Sequence, residues 1–313
     1  LDITMAMRDL PLTPLFFPLH PLGWVAAAMA LLCLGGVAVA WLLAGWLAQP
    51  HRQHIGAAPP ELGAVAVEIA SADGAVRGWY APGEPGRGAV LLLHGIRSDR
   101  RAMLPRALAL QRLGHGVLLM DLPAHGESDG GMLSFGPLEG LGVAQALTWL
   151  QEQLPAEKVA VIGVSLGGAS LLMAELPQSP DAVVLEGVFP TLRAAVDNRV
   201  RAVLGPLAPL ARIATPLLLW QMPLRLGLEP NKLRPIDHLA SWTLPVMVLG
   251  GTEDRYTPPA ETRRMAEAAN QARRSPQPLW LVPGAAHVDL YQFAPQAYEE
   301  QVFGFLQAHL HTR

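Results

Sequence analysis

With 313 residues and a net charge of only −3, the chain can hold one large α/β domain with additions, and its charge gives no reason to expect a nucleic-acid partner. Hydrophobic residues make up 51% of it and mean hydropathy is +0.27, high for a soluble protein. The single cysteine, Cys33, excludes an internal disulfide and a cysteine-rich metal site, and no His/Asp/Glu cluster has metal-ligand spacing, so neither metal nor cofactor is expected.

In chain order, residues 1–21 form a proline-rich N-terminal segment that cannot build a long helix. Residues 22–48 follow without a charge, long enough to cross a bilayer, and Trp24, Trp41 and Trp46 lie toward the ends, as interfacial tryptophans do. A cleaved signal peptide is the rival reading, with Ala38-Val39-Ala40 as its cleavage site. The long, barely basic leader and the length of the apolar run favour an uncleaved single-pass anchor. Arg8 before it and Arg52 after it nearly balance, so charge sets no orientation.

Residues 49–63 read as a linker, and 64–313 as the main domain. Ala64–Ala70 and Ala75–Tyr80 flank Ala72-Asp73-Gly74, the signature of an antiparallel hairpin. Strands are then expected at 89–93, 116–120, 159–164, 182–185, 246–249 and 279–282. Helices are expected at 101–113, 138–154, 169–176 and about 295–310. Uninterrupted apolar strands with helical crossovers predict a mostly parallel sheet covered on both faces. In such sheets, reactive groups sit on loops at the carboxyl ends of the strands.

The stretch around which the chain is organised is Gly163-Val164-Ser165-Leu166-Gly167, a G-x-S-x-G match between a predicted strand and a predicted helix. A serine in so sharp a turn has a strained backbone, and the flanking glycines make room for the chain to pass. The turn lifts the hydroxyl above the sheet and leaves the Leu166 N–H free at a helix N-terminus, where it can stabilise an oxyanion. A serine hydroxyl needs a base, and the base needs an orienting carboxylate. Ser165, Asp254 and His287 occur in the order Ser…Asp…His, each just past a predicted strand. His94-Gly95-Ile96-Arg97 follows the first parallel strand, and the Ile96 N–H is a candidate second oxyanion donor.

These residues give the sequence a resemblance to serine hydrolases of the α/β-hydrolase superfamily, among them membrane-anchored alpha/beta-hydrolase-domain proteins and serine-aminopeptidase-like relatives. The resemblance runs from about Val65 to the C-terminus. It rests on His94-Gly95, Asp121–Gly130, Gly163–Gly168, Leu249–Asp254 and Gly284–His287. It implies Ser165 as nucleophile, His287 as base, Asp254 as acid, and the backbone N–H groups of Ile96 and Leu166 as oxyanion hole. One departure is visible: the family usually has Gly-His-Gly where this chain has Ala124-His125-Gly126.

Asp254 has two rivals as the acid, adjacent Glu253 and Glu186 after the strand at 182–185. Asp289 reads as a helix N-cap, and His94 and His125 as supports for the loops. The basic run Arg97, Arg100, Arg101 and Arg106 reads as a solvated helix face. The long stretch between the strands at 182–185 and 246–249 reads as a helical lid, about 188–240. A second membrane span there is disfavoured by Arg212 and by Pro206, Pro209, Pro216 and Pro223. The expectation is a membrane-anchored hydrolase of carboxylic esters or thioesters on an acyl-bearing small molecule. The alternatives are a peptidase of the same fold and a non-catalytic membrane binding protein.

Overall fold

The computed structural model describes residues 21–72, 74–273 and 276–311. The proline-rich segment, apart from Pro21, and the hairpin residue Asp73 lie outside the described residues.

The apolar runs form one eight-stranded sheet. Its strands are β1 (Val65–Ser71), β2 (Gly74–Ala81), β3 (Ala89–Leu93), β4 (Gly116–Met120), β5 (Val159–Val164), β6 (Ala182–Glu186), β7 (Val246–Gly251) and β8 (Leu279–Val282). Their order across the sheet is β8-β7-β6-β5-β3-β4-β2-β1. The β1–β2 and β2–β4 pairings are antiparallel and the rest are parallel. The α/β-hydrolase fold expected from the sequence is therefore present.

Side chains alternate across each strand, so two cores form. Leu91, Leu93, Val161, Val183 and Val248 pack on one face, against α3 (Pro137–Gln153), α4 (Leu166–Met173) and α9 (Pro259–Ala269). Val90, Leu92, Ile162, Val184 and Met247 pack on the other, against α2 (Leu104–Arg112) and the C-terminal helical segment ending in Gly304–Leu310. Leu91, Leu92 and Leu93 are fully buried, each contributing about 1.5–3 kcal/mol relative to exposure. Because both faces of β3 are covered, its sequence shows no alternation.

Helix boundaries follow local chemistry. The helix expected over 101–113 begins as a 3-10 turn, Arg100–Met103, capped by the Asp99 carboxylate. It becomes α2 at Leu104, where Pro105 falls in the first turn and loses no helical bond. α4 begins at Leu166, three residues earlier than expected, because no residue separates Ser165 from the helix.

Between β6 and β7 the chain forms α5 (Leu192–Leu204), a 3-10 segment Gly205–Leu210, α6 (Ala211–Trp220), α7 (Met222–Leu226) and α8 (Pro235–Leu239). The stretch 192–226 is apolar and long enough for a membrane span by composition. Gly205 and Pro206 instead break it, and α5 and α6 pack against each other.

The N-terminal apolar helix α1 (Pro21–Leu47) is compatible in length with a membrane anchor or a signal peptide. Its first half is exposed; its second half contacts α6. The following segment, expected as a linker, is fastened to the domain. His51–Arg52 pair in parallel with His125–Gly126, and Glu127 accepts from the Ile55 and Gly56 N–H groups (2.9 and 3.0 Å).

The basic run does not form the solvated face expected of it. Arg100 and Arg106 are only 2% and 1% exposed. Arg100 pairs with Asp121 (2.6 Å) and with Glu127, and its guanidinium stacks 4.8 Å over the Trp79 ring. Arg106 pairs with Glu186 (2.8 Å) and Asp289 (2.9 Å). Their carboxylates come from distant segments, so local spacing could not reveal them.

Candidate active site

Chain order runs outward from β3 through β4 to one side and then crosses to β5 on the other, so the loops after β3 and β5 face each other at the sheet's switch point. Leu93 is in register with Gly163, which sets His94–Arg97 beside Ser165.

Ser165 has φ 49° and ψ −109°, a left-handed conformation unfavourable for a residue with a Cβ. The turn that imposes it is very tight. A Cβ on Gly163 would lie 2.5 Å from the Gly168 Cα, and one on Gly167 would lie 2.7 Å from the His94 carbonyl oxygen. The Ser165 N–H donates to the Glu186 carbonyl (2.8 Å), tying the elbow to the end of β6. Leu166 is the first residue of α4, so its N–H has no acceptor within the helix. Gly95 lies against the serine: a Cβ added there would sit 3.7 Å from the Ser165 Cβ. Ile96 is the next residue, and its N–H has no acceptor among the described residues.

Past β7, Asp254 is 4% exposed. Its Oδ1 accepts from the N–H groups of Tyr256 (2.7 Å) and Thr257 (2.8 Å). Its Oδ2 lies 2.7 Å from Nδ1 of His287, in the loop after β8. A carboxylate can only accept, so Nδ1 carries a proton toward it. The ring is held on two further sides. Tyr256 meets it edge-on at 5.5 Å, and a Cβ on Gly187 would touch it at 3.3 Å. Ser165, Asp254 and His287 all border one cavity of about 950 Å³, a usual size for a small-molecule site.

The other candidates separate cleanly. Glu253 is exposed. Glu186 is buried, held by Arg106 on both oxygens and by the Tyr298 hydroxyl. Asp289 caps the helix Leu290–Phe293 through the Gln292 N–H (3.0 Å), and also pairs with Arg106. His94 donates from Nδ1 to the Gly95 carbonyl (2.7 Å) and accepts at Nε2 from the Leu122 N–H (3.0 Å). His125 donates to the Pro123 carbonyl (3.0 Å) and accepts from the Arg97 N–H (3.1 Å). Both rings therefore brace the loop that carries Ile96. Burial lowers His94 to about 3, with His125 nearby adding to the effect, and burial lowers His125 to about 4. Ala124, where the resemblance leads one to expect glycine, has φ 62°.

Two contributors escaped the sequence reading. Tyr256 lies two residues past Asp254, a proximity that offered a signal. The second half of α1 lines the cavity, and nothing local in its apolar sequence marks that face.

A family model described as "Alpha/beta hydrolase family" matches residues 90–301. The "Uncharacterized protein Rv2307c" of Mycobacterium tuberculosis is 31% identical over 214 residues, 68% of each chain. The "Uncharacterized protein YqkD" of Bacillus subtilis is 23% identical over 236 residues, 74% of this chain and 75% of that one. Among solved structures, the Pyrococcus furiosus esterase Pf2001 superposes with a TM-score of 0.69 at 22% identity, covering 84% of this chain and 98% of its own. The esterase EaEST from Exiguobacterium antarcticum superposes with a TM-score of 0.56 at 15% identity, covering 78% of this chain and 100% of its own. At those identities the structural likeness speaks to fold. The family match across more than half of the chain goes further, and on it this chain belongs to the alpha/beta hydrolase family.

Proposed function

We propose that this hydrolase is a membrane-anchored serine enzyme that cleaves carboxylic ester or thioester bonds of acyl-bearing substrates. The observation that carries the reading is the 2.7 Å Asp254–His287 bond, opening on the same cavity as the strained Ser165. Ser165 Oγ attacks the substrate carbonyl while His287 Nε2 takes its proton. Asp254 holds the ring and stabilises the imidazolium. The N–H groups of Ile96 and Leu166 receive the oxyanion of the tetrahedral intermediate. The imidazolium returns its proton to the leaving oxygen or sulfur, leaving an acyl-enzyme. Water, deprotonated by the same imidazole, then attacks the acyl carbon and releases the acid and the free serine.

Two further observations support the finer parts. Apart from Arg199, whose guanidinium stacks 5.1 Å over the Tyr256 ring, the side chains of α5 and α6 that line the cavity are apolar, suited to an acyl or alkyl group under a helical lid. An anchor is favoured over a removed leader because α1 is bonded to the rest of the chain. Gln221 Nε2 donates to the Ala40 carbonyl (2.8 Å), a bond that removal of the leader would break. Cleavage after Ala40 would split that helix across its contact with α6.

The test is labelling of the full chain with a short-chain fluorophosphonate, with the modified peptide mapped by mass spectrometry. The expected result is an adduct on Ser165 that is lost in His287→Ala. In Ser165→Ala, ester turnover should fall by roughly 10⁴- to 10⁶-fold. Turnover undiminished in that variant would end the assignment.

A further inference from the structure

Gly36, Val39, Ala40, Leu43, Trp46 and Leu47 recur at spacings of three and four residues, so they share one stripe of α1. All six border the cavity that holds Ser165 and His287. From Gly36 to Leu47 the helix rises about 16 Å. The same cavity is lined by Val200 of α5 and by Leu217 and Leu218 of α6. The space beside Gly36 is open, since a Cβ added there would meet nothing within 4 Å.

The helix is fastened at several points, not merely leaning on the domain. Gln221 holds the Ala40 carbonyl; Arg225 donates to the Trp41 carbonyl (2.6 Å) and stacks 3.9 Å over the Trp41 ring. Trp41 and Trp220 rings lie 6.4 Å apart. Arg97, the residue after Ile96, stacks 4.3 Å over the Trp46 ring, which links the last turn of α1 to the candidate oxyanion loop. The apolar surface does not stop at α1. Val203, Ile213, Trp220 and Leu224, on the segment that packs against it, are 83%, 64%, 55% and 69% exposed. Such a patch on a chain with an apolar helix beside it fits a membrane surface.

We propose that α1 is a wall of the substrate site as well as a tether. Resting on the serine hydrolase reading above, the acyl chain of a membrane lipid lies along the Gly36–Leu47 stripe, between α1 and α6, with its carbonyl at Ser165. The chain enters from the bilayer along the helix that spans it. Long-chain substrates are then selected by α1, an element outside the hydrolase fold.

The test uses the full chain in phosphatidylcholine nanodiscs and a fluorophosphonate carrying a hexadecyl chain with a mid-chain diazirine. The expected result is a phosphonyl adduct on Ser165 and, after irradiation, cross-links within residues 36–47. In Gly36→Leu, the rate of labelling by the hexadecyl probe relative to an ethyl fluorophosphonate should fall by about tenfold or more, the scale of a filled apolar subsite. Leu42→Ala, on an exposed face away from the cavity, should keep the wild-type ratio. Serine labelling with cross-links confined to residues outside α1 would overturn the proposal and leave the serine reading standing, even if Gly36→Leu failed to fold. An unchanged ratio in a folded Gly36→Leu would also overturn it. No adduct with either probe would overturn the serine reading and this proposal with it.

Discussion

Two carboxylates stand at neighbouring strand ends of this sheet, and their partners are opposite in kind. Glu186 closes β6; both of its oxygens are taken by Arg106, and the Tyr298 hydroxyl adds a third bond. Asp254, beyond β7, spends one oxygen on two backbone N–H groups and presents the other to a single histidine. Position along the sheet does not separate them, because Glu186 and Leu249 are register partners and the Ser165 N–H even bonds to the Glu186 backbone. What separates them is the partner. A guanidinium in two-pronged contact is a permanent cation and turns a carboxylate into a structural joint. An imidazole can exchange a proton, so a carboxylate that faces one can serve a reaction.

The largest effect is expected at Asp254. Asp254→Asn should lower kcat/KM by about 10⁴-fold, because an amide can turn its N–H₂ toward His287 and favour the wrong tautomer. Steady-state ester hydrolysis measures it, and a loss below tenfold would remove Asp254 from the acid role. At the other carboxylate the damage should appear in stability. Arg106→Met leaves Glu186 buried without its cation and should cost about 3–5 kcal/mol in urea unfolding. Adding Glu186→Gln to that variant should recover part of the loss, since the stranded charge is gone.

The histidines extend the same contrast. His94 and His125 are neutral in the fold, each with one nitrogen donating and the other accepting. Burial holds them at about 3 and about 4, against an ordinary 6.5. Below 6.5 the unfolded chain binds protons at these sites that the folded protein does not. Their contribution is therefore complete above pH 6.5 and is lost progressively as pH falls through about 4 and then about 3. The melting temperature should drop through that window, and His125→Asn, whose amide can both donate and accept, should make the drop shallower. An equal slope in wild type and variant would assign the acid sensitivity to other groups.

The smallest effect is expected at Ala124. Its φ of 62° costs about 1–2 kcal/mol for a residue with a Cβ, against roughly 0.5–1 kcal/mol of extra unfolded-state freedom for glycine. Ala124→Gly also removes a fully buried methyl worth about 0.8 kcal/mol, so the terms nearly cancel and the urea midpoint should stay close to that of the wild type, within about 1 kcal/mol.

What the sequence determined by itself is whatever depends on near neighbours. Unbroken apolar runs such as Ala89–Leu93 betray strands buried on both faces, and Gly163 betrays the sharp turn because Gly168, five residues on, leaves no room for a Cβ; Gly167 is demanded by the His94 carbonyl of another segment. The order of Ser165, Asp254 and His287 was legible for the same reason, each following its own strand. The tertiary structure alone decided which charges meet. Arg100 and Arg106 read as solvated because their carboxylates lie 21 or more residues away in the chain. Likewise, Glu186 and Asp254 could be told apart only when Arg106 and His287 arrived from other elements. The second half of α1 illustrates the limit most clearly: a uniformly apolar helix carries no polar face to mark a direction. Its docking side was set by Gln221, Arg225 and Arg97, contacts that exist only once the chain has folded.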